Sequence, residues 1–146
     1  MTKLKNNMKT VMVFGVFDMF HKGHEAFLKQ ANALGDTLIV CLAQDDVVKE
    51  LKGAAPQQSL IERMRVLKTS RFVDDVIPGD TNIGVYNCLK DVHPDIIALG
   101  YDQDALRNDL EAWLVKNESN IEHRVMRPFE PDIYKSSKIR STTLYD

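Results

Sequence analysis

No stretch of these 146 residues approaches the roughly 20 consecutive apolar residues that a membrane-spanning helix needs, so no membrane is expected among the partners. An excess of charge of one sign is missing too: 19 Lys and Arg stand against 21 Asp and Glu, a formal net charge of −2. That balance gives no reason to expect nucleic acid, and any phosphate-binding role must come from a local cluster. Cysteine is scarce. Cys41 and Cys88 lie far apart and form no C-x-x-C, which points to buried reduced thiols in a cytoplasmic chain rather than a disulfide or metal site. Also absent are a G-x-x-x-x-G-K-[ST] phosphate loop, a G-x-S-x-G nucleophile, a catalytic-cysteine pattern, internal repeats and Pro/Gly-rich linkers. The opening MTKLKNNMKT is polar and lysine-rich, and the apolar run behind it is too short for a secretory signal. Residues 1–9 therefore read as a flexible leader, with Met8 as an alternative start, and 10–146 as one domain.

What is present is a chain with 44% hydrophobic and 27% charged residues, enough to bury a real core. Short apolar runs alternate with longer amphipathic ones. Strands are expected at 10–14, 37–43, 72–77, 95–99 and 121–126. Helices are expected at 24–34, from 60 after the S-x-x-E capping box of Ser59 and Glu62, at 82–92 and at 103–116, with a short one near Ser136. Residues 53–59 read as a loop. The alternation predicts an α/β fold: a single Rossmann-like domain with a five-stranded parallel sheet and helices on both faces. Ligands of such sheets bind beyond the carboxyl ends of the strands. Gly15–Asp18, Gln44–Asp46, Gly100–Asp102 and Arg127 all follow predicted strands.

His21 and His24 flank Lys22-Gly23 at the first strand-to-helix corner. Three residues apart, they share one face of a helix starting there. A zinc site is not expected, because H-x-x-H lacks the glutamate of H-E-x-x-H and Asp18 is the only acidic group just upstream. Histidines satisfied by backbone partners would account for either residue alone. With Gly15 and Gly23 beside them, phosphate becomes the better reading: glycine admits a close backbone approach, and a helix N-terminus offers N–H groups and a positive dipole end.

These residues carry a resemblance. Gly15–His24, GVFDMFHKGH, is similar to the G-x-F-D-x-x-H-x-G-H signature of the cytidylyltransferase-like nucleotidyltransferases. That family includes glycerol-3-phosphate, phosphocholine and phosphoethanolamine cytidylyltransferases and archaeal-type FMN adenylyltransferases. Lys52-Gly53 matches a basic position in the loop after the second strand. Glu62-Arg63 with Arg71-Phe-Val-Asp-Asp-Val-Ile77 resembles the E-R…R-x-V-D-E-V-I segment, and Leu99–Gln103 the L-G-x-D-Q of the adenylyltransferase branch. Arg127 and Ser136-Ser137-Lys138-Ile139-Arg140 resemble the closing segment, although the insertion between them, with Phe129 and Tyr134, departs from the cytidylyltransferase pattern.

The resemblance implies transfer of a nucleotidyl group from ATP or CTP to a phosphorylated small molecule, with release of pyrophosphate. His21, His24 and Lys52 would be catalytic. Val16, Phe17, Lys22, Gly23, Asp102, Arg127, Ser136 and Ser137 would join the histidines in holding the nucleotide. Asp18, Arg63 and Arg71 are supporting candidates; for the two arginines, a solvated place on or beside a helix is an equal reading. Mg2+ is expected to arrive with the triphosphate, and a homodimer is common in the family. FMN with ATP is the leading substrate pair. CTP with glycerol 3-phosphate or a related phospho-alcohol is the alternative, and a nucleotide-binding regulatory module without catalysis is the alternative of another class. KSSKIR also resembles the K-M-S-K-S element of class I aminoacyl-tRNA synthetases, but 146 residues leave no room for tRNA-binding domains.

Overall fold

The run from Val11 to Phe14 is apolar at every position because its strand is covered on both faces. In the computed structural model, which describes residues 8–128, five parallel strands form one sheet in the order β3-β2-β1-β4-β5. They are β1 Thr10–Gly15, β2 Thr37–Leu42, β3 Asp75–Pro78, β4 Ile96–Leu99 and β5 Glu122–Val125. Between them lie α1 Lys22–Asn32, α2 Asp45–Lys52, α3 Leu60–Lys68, α4 Asn87–Val92 and α5 Asp104–Lys116. Alternate residues of β1 feed two cores. Val11 and Val13 pack with Leu28 and Ala31 of α1 and Leu67 of α3. Met12 and Phe14 pack with Leu89 of α4 and Leu106, Leu110 and Leu114 of α5. Each such leucine or valine contributes about 1.5–3 kcal/mol by leaving water, so the two-sided burial fixes the register of the central strand.

β1 pairs with β2 on one side and β4 on the other, with Gly15 opposite Leu42 and Val13 opposite Ala98. The chain runs outward from β1 through β2 to β3, then returns to the other side for β4 and β5. The order therefore reverses at β1 and β4, and loops leaving these two strands diverge around a crevice.

Three differences from the sequence expectation exceed two residues. Residues 45–52, to which the sequence reading assigned no element, form a helix: Asp45 and Asp46 stand at its N-terminus, Lys49 and Lys52 at its C-terminus, and Gly53 ends it at φ +82. β3 starts at Asp75 because Asp74 turns its carboxylate to the Leu38 amide. α4 starts only at Asn87, whose amide is held by Asp80. The Lys9 amide donates to Asp36 at 2.7 Å and its carbonyl accepts from the Asp36 amide. Ser136, Ser137 and the helix expected beside them lie outside the described residues, as does most of the expected leader. Among the described residues, no helix is long and apolar enough to cross a membrane.

Candidate active site

The loop leaving β1 is wound tightly. Phe17 and Met19 both adopt left-handed backbone, with φ +50 and +51. Such conformations cost non-glycine residues on the order of 1 kcal/mol or more and persist only where neighbours hold them. Here the holding groups are visible. The Phe17 ring is buried against His24 at 5.3 Å and Phe27 at 6.3 Å between centroids. The Asp18 carboxylate accepts from the amides of Gln57 and Gln58 at 2.7 and 2.9 Å. The Met19 amide in turn donates to the Gln58 side chain at 3.1 Å. Asp18 is thus a clamp between the β1 loop and the segment that enters α3. Gly15 leaves room for this winding: a Cβ there would lie 2.6 Å from Cε2 of Phe17.

His21 is the N-cap of α1, and its Nδ1 accepts from the Gly23 amide at 3.0 Å. Reciprocally, Nδ1 of His24 accepts from the His21 amide at 3.2 Å. This is a capping box built from two imidazoles, which stack with centroids 3.8 Å apart and planes 19° from parallel. Because each Nδ1 accepts, each neutral ring carries its proton on Nε2. Those protons stand at the positive end of an 11-residue helix, with Lys22 exposed beside the pair. That arrangement suits an anion.

Of the two readings of Arg63, the solvated one is excluded. It is fully buried, not solvated on a helix face. Nη1 donates to the carbonyls of Val16 and Ala43, both at 2.9 Å, and Nε to the carbonyl of Gln58 at 3.0 Å. Nη2 meets Asp45 at 2.6 Å. One guanidinium thereby joins the β1 loop, the end of β2, the start of α2 and the entry to α3. The Val16 carbonyl is turned toward Arg63 rather than into the crevice. Gln103, also buried, performs the matching task across the switch point: its Oε1 accepts from the Gly100 amide at 2.7 Å and its Nε2 donates to the Phe14 carbonyl at 3.1 Å. Both stand in segments that carry the family resemblance, but their bonds to the Val16, Ala43 and Phe14 carbonyls, distant in sequence, are made only by the fold.

Asp102 is half-buried beside Gln103, its carboxylate folded over Gly100, on the β4 side of the crevice. Lys52 is exposed in the last turn of α2, just before the segment clamped by Asp18. Arg127 is held elsewhere: its amide and carbonyl form two hydrogen bonds, 3.0 and 2.9 Å, with the side chain of Gln30. Gln30 lies about 12 Å along α1 from its first turn, by the helical rise. Arg71 is exposed over the Phe72 ring, before β3 and thus at the amino edge of the sheet, away from the histidines. On the other side of β1 a small pocket is lined by Phe14, Cys41, Val47, Asp80, Tyr86 and Cys88 among others.

Residues 12–142 match the family model described as cytidylyltransferase-like. The chain is 44% identical over 130 residues to the FAD synthase of Thermococcus sibiricus, and to that of Pyrococcus horikoshii, with 88% of this chain and 88% of each relative covered. The crystal structure of the lipopolysaccharide core biosynthesis protein from Thermoplasma volcanium superposes with a TM-score of 0.78 at 31% identity, covering 85% of this chain and 100% of that one. With the parallel sheet and the paired histidines at its switch point, these matches place the chain in the cytidylyltransferase-like family, to which it belongs.

Proposed function

We propose that this chain is a cytoplasmic nucleotidyltransferase that transfers AMP from ATP to FMN, yielding FAD and pyrophosphate. The single observation that carries the reaction class is the stacked His21–His24 pair, whose Nδ1 atoms are committed to backbone so that Nε2–H donors serve an anion at a helix N-terminus. Relatives named FAD synthase at 44% identity over most of both chains support the choice of substrates.

In this reading a phosphate oxygen of FMN attacks the α-phosphorus of ATP. The new P–O bond forms as the bond to the bridging oxygen breaks, and pyrophosphate leaves with that electron pair. Such chemistry rests on positioning and charge stabilisation rather than a covalent nucleophile. His21 and His24 donate to oxygens that gain charge in the transition state. Lys52 supplies a point charge between the acceptor phosphate and the α-phosphate. Lys22, Gly23 and the α1 terminus receive phosphate, Val16 and Phe17 shape the wall, and Asp102 takes a ribose or base edge. Arg127, Ser136 and Ser137 are proposed for the β- and γ-phosphates. Mg2+ enters this proposal as the companion of the triphosphate. A homodimer is part of the same reading.

The test crosses ATP and CTP with FMN and glycerol 3-phosphate and separates the products by chromatography. FAD from ATP and FMN is the expected outcome. Exclusive use of CTP overturns adenylyl transfer, and thermal stabilisation by nucleotide without turnover identifies a binding module.

A further inference from the structure

Arg127 stands two residues past the end of β5, yet its main chain lies against α1. Three contacts bring it there. The Met126 amide donates to the Leu99 carbonyl at 2.7 Å, which ties the chain leaving β5 to the end of β4. The Met126 side chain is buried in the core that also takes Leu28 and Ala31 of α1. Gln30, between those two residues in the chain, then engages both main-chain groups of Arg127. Its Oε1 accepts from the amide at 3.0 Å and its Nε2 donates to the carbonyl at 2.9 Å. One side-chain amide thus meets a donor and an acceptor of the same residue, 97 positions away in sequence. With both ends of the amide used, the main chain at Arg127 is fixed in place and in direction.

We propose that Gln30 is a positioning residue for the nucleotide: it pins Arg127 to the helix that carries His21 and His24, so that the Arg127 guanidinium serves the outer phosphates. This rests on the function proposed above. The first turn of α1 receives the reacting phosphate, and Gln30 lies about 12 Å further along the same helix. A long arginine side chain and an extended triphosphate close that distance between them. Because α1 is one continuous helix of 11 residues, the two phosphate-binding groups share a rigid body. Their separation then does not depend on how the β1 loop moves relative to β5, and such fixed spacing is what positioning catalysis needs. Gln30 itself meets only main chain here, while the Arg127 side chain is exposed. Both hydrogen bonds lie at the exposed surface, where they add little to folding. Their consequence is location rather than stability.

The test is a double-mutant cycle on the full chain. Gln30→Met keeps a good helix former of similar length and removes both hydrogen bonds. It should raise the KM for ATP about tenfold while the KM for FMN and the Tm hold. Arg127→Ala, which keeps the main chain and removes the guanidinium, should raise the KM for ATP at least as much. Since Gln30 acts through Arg127, adding Gln30→Met to Arg127→Ala should cost nothing further. Gln30→Glu still accepts from the amide but cannot donate to the carbonyl, so it should not restore the wild-type KM. Hydrogen exchange at the Arg127 amide reads the anchor without any substrate, and it should speed up in Gln30→Met. Unchanged exchange overturns the anchor. An unchanged KM for ATP in Gln30→Met, or a rise that adds in full to that of Arg127→Ala, overturns the positioning role. Equal losses for both substrates with a lowered Tm would show a merely structural contact and overturn it as well. If the wild-type protein neither binds ATP nor makes FAD, the functional reading fails and the positioning role falls with it, while exchange still decides the anchor.

Discussion

His21 and His24 lie face to face at 3.8 Å, and each uses Nδ1 to hold a backbone amide of the same helix turn. One pair of rings thus caps a helix and, in the proposed reaction, supplies two donors. The two tasks separate by substitution. Asn at position 21 keeps a good N-cap acceptor and removes the imidazole, so His21→Asn should lower kcat by about 10²–10³ with little change in Tm. His21→Ala should show the same catalytic loss and a further cost of about 1 kcal/mol in stability. Retention of kcat within a few fold in His21→Asn would remove the ring from the chemistry.

Gly15→Ala tests the packing that holds the loop. The added Cβ meets Phe17 at 2.6 Å, and the Phe17 ring in turn packs on His24. Overpacking of this kind costs about 1–3 kcal/mol. Activity should fall more than stability predicts, since the displaced ring moves the His24 face. Urea unfolding with steady-state kinetics reads both, and unchanged kinetics would show the loop tolerates the shift.

Arg63 is the structural hub of the carboxyl edge. Arg63→Met leaves the Val16, Ala43 and Gln58 carbonyls without their donor and Asp45 without its partner. The expected loss is about 3 kcal/mol or more in urea unfolding. Arg63→Lys should not rescue, because one ammonium cannot reproduce the planar fork. A loss below about 1 kcal/mol would contradict the assigned role.

Much of this architecture is legible in the residues themselves. Continuous apolar runs such as Val11–Phe14 announce strands covered on both faces, and Ser59 with Glu62 marks the start of α3, where the capping box indeed stands. The position of His21 and His24 after β1 follows from the same pattern. What escapes is tertiary. Residues 45–52 carry too few apolar positions to announce a helix, with only Val47 and Val48 buried, yet their charges are ordered along a helix dipole. The burial of Arg63 depends on carbonyls, which leave no trace in sequence. Cys41 and Cys88 are each legible as buried thiols, but their place on one pocket is created by the fold.

The Ser59–Glu62 box also sets a pH dependence. The hydrogen bond from the Ser59 backbone, first, and the Ser59 side chain hold the exposed Glu62 carboxyl below its ordinary value. A depressed folded value means the stabilisation is present above the unfolded carboxyl range and is lost as pH falls through the folded one. The stability difference between wild type and Glu62→Ala should therefore shrink from about pH 6 toward about pH 3. A difference that does not vary over that window would mean the carboxylate charge plays no part in the cap.

The central claim is attack at the α-phosphorus, and the fate of labelled phosphate tests it most directly. With α-labelled ATP, FMN and Mg2+, the account predicts label in FAD; with γ-labelled ATP, it predicts label in pyrophosphate. Label from the γ-position appearing as inorganic phosphate or on FMN, with no α-label in FAD, would contradict it.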